Sequence, residues 1–232
     1  MTQHRVLLAC MPKSGSTYVC KIFAQLPGFV EAVLVPGYGR REQELCHERL
    51  LAYAATPESF IAQHHVRYSH VTRSYIEEFS LEPVVLVRNV FDVVPSLIDH
   101  HRLDSTVYPA AFAPEECAGW DFERAAAFVT YMAIPWYFNF FVSWTACQEK
   151  ILVTYEDVIL DAIGVMRRIC DFWRIDVPRR DIAEAVLRAD ALPTRKNLAV
   201  RGRGDALPQT CKRHIRNMAA FYSGTDFSSI GL

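Results

Sequence analysis

Lys13-Ser14-Gly15-Ser16-Thr17-Tyr18 places one cation, three hydroxyls and a glycine directly after an apolar run. Residue types in this order suit an anion cradle. Gly15 lets a backbone come close, Ser14, Ser16 and Thr17 donate hydroxyls, and Lys13 brings a full charge. At a strand-to-helix junction the first N–H groups of the helix have no intrahelical acceptor and the dipole adds partial positive charge, so a phosphate settles there. The bland alternative is a strand-to-helix turn with an incidental lysine.

Three further stretches carry chemistry. An apolar run over 82–87 ends in Arg88, followed by Asp92 and then Ser96 at intervals of four. The planar guanidinium fork suits bidentate capture of a second phosphate, with Ser96 beside it and Asp92 ordering the turn. Gln63-His64-His65 closes another apolar run, and an imidazole suits removal of a proton from a hydroxyl near neutral pH. Neighbours on a strand point to opposite faces, so only one of the pair can enter a given cleft. They diverge too far to share a metal, and a purely structural histidine remains an option for either. Finally, 195–216 turns basic and contains Arg201-Gly202-Arg203-Gly204-Asp205, whose glycines allow a loop to fold onto a phosphate. A solvated tail is the default for such a run.

A nucleoside-triphosphate loop reads G-x-x-x-x-G-K-[ST]. Here the lysine comes two residues before the only glycine of the turn, and Ser16 stands where that lysine would be. A magnesium-dependent phosphotransferase is therefore the weaker reading. A non-catalytic nucleotide module would need Lys13 and Arg88 but no histidine.

Positioning these groups takes alternating strands and helices. Residues 6–10, 82–89 and 150–157 read as strands buried on both faces, with a shorter run at 30–35 and a strand end at 60–65. Helical spacing follows at 19–26, 42–55, 92–100, 163–173 and 180–189. The segment 101–121 lacks periodicity and reads as a long loop or short helices over the site mouth. The aromatic stretch 122–147 reads first as a core helix and second as an acceptor pocket. Arg40, Arg41, Glu44 and His47 either meet an acceptor or form a solvated face. Glu156-Asp157 reads as a helix cap, because adjacent carboxylates cannot flank one bond in opposed geometry.

Pro-Lys-Ser-Gly-Ser-Thr-Tyr resembles the Pro-Lys-Ser-Gly-Thr-Thr-Trp loop of sulfotransferases that use 3′-phosphoadenosine 5′-phosphosulfate (PAPS), the cytosolic and small bacterial type. The Arg88/Asp92/Ser96 spacing is similar to that family's second signature, and the Tyr155-Glu156-Asp157 and Arg201–Asp205 elements to later ones. The resemblance implies an α/β fold with a central parallel sheet flanked by helices, P-loop-like, over one domain spanning 1–232. It further implies that Lys13, Ser14, Gly15, Ser16 and Thr17 hold the 5′-phosphate and sulfonate end, and that Tyr18 and Tyr155 lie near the adenine. Arg88 and Ser96 would hold the 3′-phosphate, and Arg201, Gly202 and Arg203 would close over it, Arg201 before Arg203. His65 would be the base, with His64 as the fallback. Gln63 replaces the family's lysine. The implied reaction is in-line sulfonate transfer to a hydroxyl or amine, leaving adenosine 3′,5′-bisphosphate (PAP), with Lys13 catalytic beside His65 and no metal. A small molecule or carbohydrate serves as acceptor.

Composition sets the remaining bounds. A chain of 232 residues with 51% hydrophobic residues can bury a sizeable core. A net charge of −1 argues against general nucleic-acid binding. Seven cysteines without CxxC spacing read as reduced thiols. The first strand begins after five residues, and no window offers ~18 uninterrupted apolar residues. The expectation is a cytoplasmic protein without a membrane span.

Overall fold

The computed structural model describes residues 3–35, 44–192 and 201–232. Its centre is a five-stranded parallel sheet of β1 (Arg5–Cys10), β2 (Phe29–Ala32), β3 (Ser59–His64), β4 (Glu82–Val87) and β7 (Ile151–Thr154), in the order β2-β3-β1-β4-β7. β1 is the middle strand because Val6 to Cys10 are all fully buried, which only a strand covered on both faces can satisfy. Successive residues alternate between two cores. Leu7 and Ala9 pack with Phe60, Ala62, Val85 and Val87 on one face, and Val6, Leu8 and Cys10 with Ile61, Val84 and Leu86 on the other.

Helices cover both faces. α1 (Ser16–Ala24), α8 (Ala162–Phe172) and α9 (Arg179–Ala191) bury Ile22, Phe23, Ile169 and Ile182 in the core shared with Val6 and Leu8. α4 (Val90–Leu103), α5 (Phe122–Phe128), α6 (Ile134–Thr145) and α10 (Gln209–Ala219) lie against the other face. α2 (His47–Ala54), α3 (His70–Phe79) and the short α7 (Tyr155–Leu160) complete the helical shell.

Several boundaries differ from the sequence reading. α4 starts at Val90, capped by Asn89, whose side chain accepts from the N–H groups of Phe91 and Asp92, and it runs on to Leu103. The segment 101–121, expected as a long loop or short helices, comprises the end of α4, a small hairpin of β5 (Val107–Tyr108) and β6 (Ala111–Phe112), and a 3₁₀ turn at Glu115–Gly119. The helix expected from 42 begins only at His47. α10 falls inside the basic stretch, where the charge masked its burial of Cys211 and Ile215.

The aromatic stretch is core. Tyr137, Phe138, Phe140, Phe141 and Trp144 are buried, and a π-turn at Val129–Ala133 joins α5 to α6. Together the run Phe122–Thr145 has the length and hydropathy to cross a membrane, but 61% of its most apolar window is buried inside the protein.

Candidate functional site

Parallel strands with crossovers on both sides bring their carboxyl ends to one edge, and the order reverses at β1. The turn after β1, His65 after β3, Arg88 after β4 and Tyr155 after β7 therefore emerge together.

The turn from Met11 to Thr17 is built by its own bonds. Ser14 Oγ donates to the Met11 carbonyl at 2.6 Å, so this buried hydroxyl is committed to closing the turn. Lys13 and Gly15 take left-handed conformations with φ of 64° and 78°. Gly15 precedes α1 and accepts from the N–H groups of Tyr18 and Val19. The N–H groups of Gly15, Ser16 and Thr17 find no backbone acceptor among the described residues, the open end an anion requires. Ser16 Oγ accepts from Gln63 Nε2, so Gln63 supports the cradle.

Glycine at position 15 is needed twice over. A Cβ there would stand 2.9 Å from Tyr155 Cδ2, on a backbone that L-residues avoid. Gly15→Ala is expected to cost about 1–2 kcal/mol from the left-handed backbone alone. It should also push Tyr155 aside and lower the denaturant midpoint; an unchanged midpoint would refute this packing argument.

Arg88 is 3% exposed. One terminal nitrogen donates to the Lys13 carbonyl at 2.8 Å and reaches Ser96 Oγ at 3.3 Å, tying the second site to the cradle. The Tyr155 ring lies 4.1 Å from the guanidinium carbon, and burial pulls the group's pKa below its usual value. Arg88 Nε is buried with no hydrogen-bond partner among the described residues. A buried cation with a donor left over fits an anion that completes it. Tyr155 thus sits over the arginine and against Gly15.

Glu156 enters from the same strand end, its carboxylate accepting from the Asn89 N–H at 3.2 Å. Burial raises its pKa above 4.5, against smaller opposing contributions from its hydrogen bonds and Arg88. An acid with a raised folded pKa costs stability above that value, and the cost vanishes below 4.5, where both states are protonated. Glu156→Gln keeps an acceptor oxygen, so it should raise Tm at pH 7.5, with the gain shrinking as pH falls towards 4.5. Thermal scans across that range check it; a gain that grows on acidification would reverse the assignment.

The spacing predicts that Asp92 orders its own turn, but Asn89 caps it instead. The buried Asp92 carboxylate accepts from Gly202 N at 2.9 Å and Gly204 N at 2.7 Å, clamping the 201–205 segment over α4. Gly204 packs so tightly on Phe91 that a Cβ would lie 2.5 Å from that side chain. Arg203 pairs with Asp99 at 2.7 Å, whereas Arg201 is exposed.

The two histidines separate clearly. His64 is 1% exposed and its Nε2 accepts from Leu34 N at 3.3 Å. His65 is half-buried and its Nδ1 lies 2.8 Å from the Cys10 carbonyl. A carbonyl only accepts, so Nδ1 carries the proton and Nε2 of the neutral ring holds the lone pair. The Trp136 ring meets this imidazole edge to face with centroids 6.5 Å apart, and the Tyr137 hydroxyl donates to the Pro12 carbonyl at 3.2 Å, so two aromatics of the 122–147 stretch reach the site.

Tyr18 is mostly buried and its hydroxyl donates to Asp190 Oδ1 at 2.9 Å on α9. Burial and that carboxylate push the phenol's pKa well up. Both line a cavity of about 410 Å³ with Val158, Leu160, Ile163 and Val186. His47 instead pairs with Glu78 on the α2–α3 surface at 2.9 Å, the solvated-face alternative. Arg40, Arg41, Arg195 and Lys196 lie outside the described residues.

The composition of the chain and the architecture both find counterparts. The family model described as Sulfotransferase domain matches residues 3–201. No curated protein sequence matches the chain. Among solved structures, mouse sulfotransferase SULT7A1 complexed with PAP aligns with a TM-score of 0.72 at 13% identity, over 99% of this chain and 88% of that one. Retinol dehydratase in complex with androsterone and PAP aligns at 0.60 and 15% identity, over 98% and 83%. The sulfotransferase domain from the curacin biosynthetic pathway aligns at 0.55 and 13%, over 94% and 98%. At these identities the likeness is one of fold.

Proposed function

The chain belongs to the sulfotransferase domain family, and on that premise we propose that it moves the sulfonate of PAPS to a hydroxyl of a small-molecule acceptor, with His65 as base. The observation that carries this is the Arg88 bond to the Lys13 carbonyl, which locks a second cationic pocket to the cradle at a fixed spacing. A nucleotide bearing phosphates at both its 3′ and 5′ ends needs such a pair.

PAPS supplies an activated sulfonate when bound. The cradle N–H groups of Gly15, Ser16 and Thr17 receive its 5′-phosphate, while Arg88 and Ser96 take the 3′-phosphate. Tyr18 and the cavity beside Asp190 offer an apolar wall for the adenine. Arg201 closes from the segment that Asp92 clamps. His65 Nε2 takes the acceptor's proton as its oxygen bonds to sulfur. The sulfur–oxygen bond to the 5′-phosphate breaks, and Lys13 neutralises the charge left on that phosphate. Retinol dehydratase structures hold androsterone or retinol, and a small-molecule acceptor is carried over from them. All seven cysteines stand as thiols, which suits a reducing cytoplasm.

Calorimetry with PAP, set against ATP with magnesium, tests this reading. Metal-independent binding of PAP that is tighter than that of Mg-ATP is expected. Preference for Mg-ATP would overturn it in favour of a phosphotransferase.

A further inference from the structure

Two stretches, 124–148 and 206–225, contain no aspartate or glutamate, although the chain has 26 such residues and a net charge of −1. The fold lays these stretches side by side. The Tyr131 and His214 rings lie 4.2 Å apart, the Tyr222 hydroxyl donates to Asn139 Oδ1 at 3.2 Å, and Phe138 stacks on Tyr222. α10 buries Cys211 and Ile215 and so turns Arg213 and Arg216 outward, both exposed. Neither these two nor Arg124, exposed on α5, pairs with a carboxylate among the described residues.

Apolar groups stand out of the same face. Phe221 is 85% exposed, Met132 58% and Tyr131 47%. Single exposed apolar residues are ordinary, but these share a face with arginines that lack acidic partners. Tyr131 and Met132 belong to the run Phe122–Thr145, the one helix among the described residues with the length and apolarity to enter a membrane. Another exposed apolar group, Leu103, Val107 and Phe112, has Asp104, Glu115 and Glu116 close by in sequence and lacks this charge.

We infer that the face formed by α10 and the outer side of the 124–145 run docks on an anionic lipid bilayer. Arg213 and Arg216 meet the lipid anions, while Phe221, Met132 and Tyr131 enter the headgroup layer. Charge selects this occupant. A second copy meeting the face about a twofold axis would set arginines against arginines. An acidic protein needs matching charge only over its own footprint, whereas a bilayer presents anions across the whole face, and no carboxylate interrupts either stretch. The run 122–145 stays within the fold, because 61% of its most apolar window is buried, and only its outer side meets lipid. Trp136, one helical turn beyond Met132, meets His65, so docking brings that end of the site towards the lipid surface. Docking does not depend on the sulfotransferase reading.

Co-sedimentation of the full chain with vesicles tests this, comparing phosphatidylcholine alone with phosphatidylcholine holding about 30% phosphatidylserine. Binding to the phosphatidylserine vesicles alone is expected, weakening as salt is raised. Arg213→Gln combined with Arg216→Gln should lower the partition coefficient about 30-fold, roughly 5-fold for each charge removed. Phe221→Ser should lower it severalfold and leave its salt dependence unchanged. Arg167→Gln combined with Arg168→Gln makes the same charge change on α8, across the sheet, and should have no effect. A Tm matched to the unmodified chain reports that each variant keeps its fold. Equal binding to both vesicles, full binding by the α10 double variant, or an equal loss in the α8 pair overturns the docking site. Absence of vesicle binding overturns it outright. Capture of soluble poly-glutamate would then give the face to an acidic protein, and a dimer dissolved by Phe221→Ser would give it to a second copy.

Discussion

Lys13→Met is expected to lower the rate of sulfonate transfer by about 10²–10³-fold, the loss typical when one preorganised charge or donor is removed from a developing anion. Methionine keeps the length of the stem, and as an L-residue it meets the same left-handed backbone at φ 64°. The comparison therefore isolates the ammonium. The peptide itself is held by the Arg88 bond to the Lys13 carbonyl, which the variant retains. If Lys13 acts on charge that builds up as the bond to sulfur breaks, the loss appears in kcat, because only interactions stronger in the transition state accelerate the step. Initial-rate kinetics with PAPS, alongside calorimetry with PAP, separate the cases. A rise in donor KM with kcat intact would reduce Lys13 to a binding group.

His65→Ala is expected to reduce kcat about 10²–10⁴-fold, the usual contribution of a positioned general base. PAP should still bind, since the donor pockets proposed above lie at the 13–18 turn, Arg88 and Ser96. With a phenolic acceptor the deficit should narrow as pH rises towards ~10, the ordinary phenol pKa, because the acceptor then arrives already deprotonated. His64→Ala should behave differently. It strips the Leu34 N–H of its acceptor in a fully buried setting, at a cost of about 1–3 kcal/mol of stability. Its kcat should follow the fraction folded. Activity and urea midpoints measured on both variants decide the matter: a rate loss confined to His64→Ala would exchange the two roles.

Five strands could be placed from sequence because apolar runs such as Val6 to Cys10 have few other homes in a chain of this length. The cradle was equally plain, since a lysine, hydroxyls and a glycine between strand and helix are local in sequence. The intervals from Arg88 to Ser96 are local too, one helical turn apart each. Histidine identity was only half legible: strand alternation says that one of His64 and His65 enters the cleft, but not which. The Leu34 N–H and the Cys10 carbonyl separate them, and both belong to other segments of the chain.

Contacts between distant segments were hidden. Asp92 looked like a turn residue, yet its partners are the N–H groups of Gly202 and Gly204, more than a hundred positions away. Arg203 reads from sequence as second to Arg201 for a phosphate, and only the fold sets Asp99 beside it.

By itself, then, the amino-acid order determined the parallel sheet, the cradle and the chemistry of its residues, because buried runs, turn residues and helical intervals act over a few positions. Only the tertiary structure decided which histidine has its Nε2 taken up by a backbone N–H, which arginine is bound by a carboxylate and which polar groups stand buried without partners among the described residues. Those outcomes depend on where loops from separate strand ends meet, and the crossovers of the fold set that meeting at one edge of the sheet.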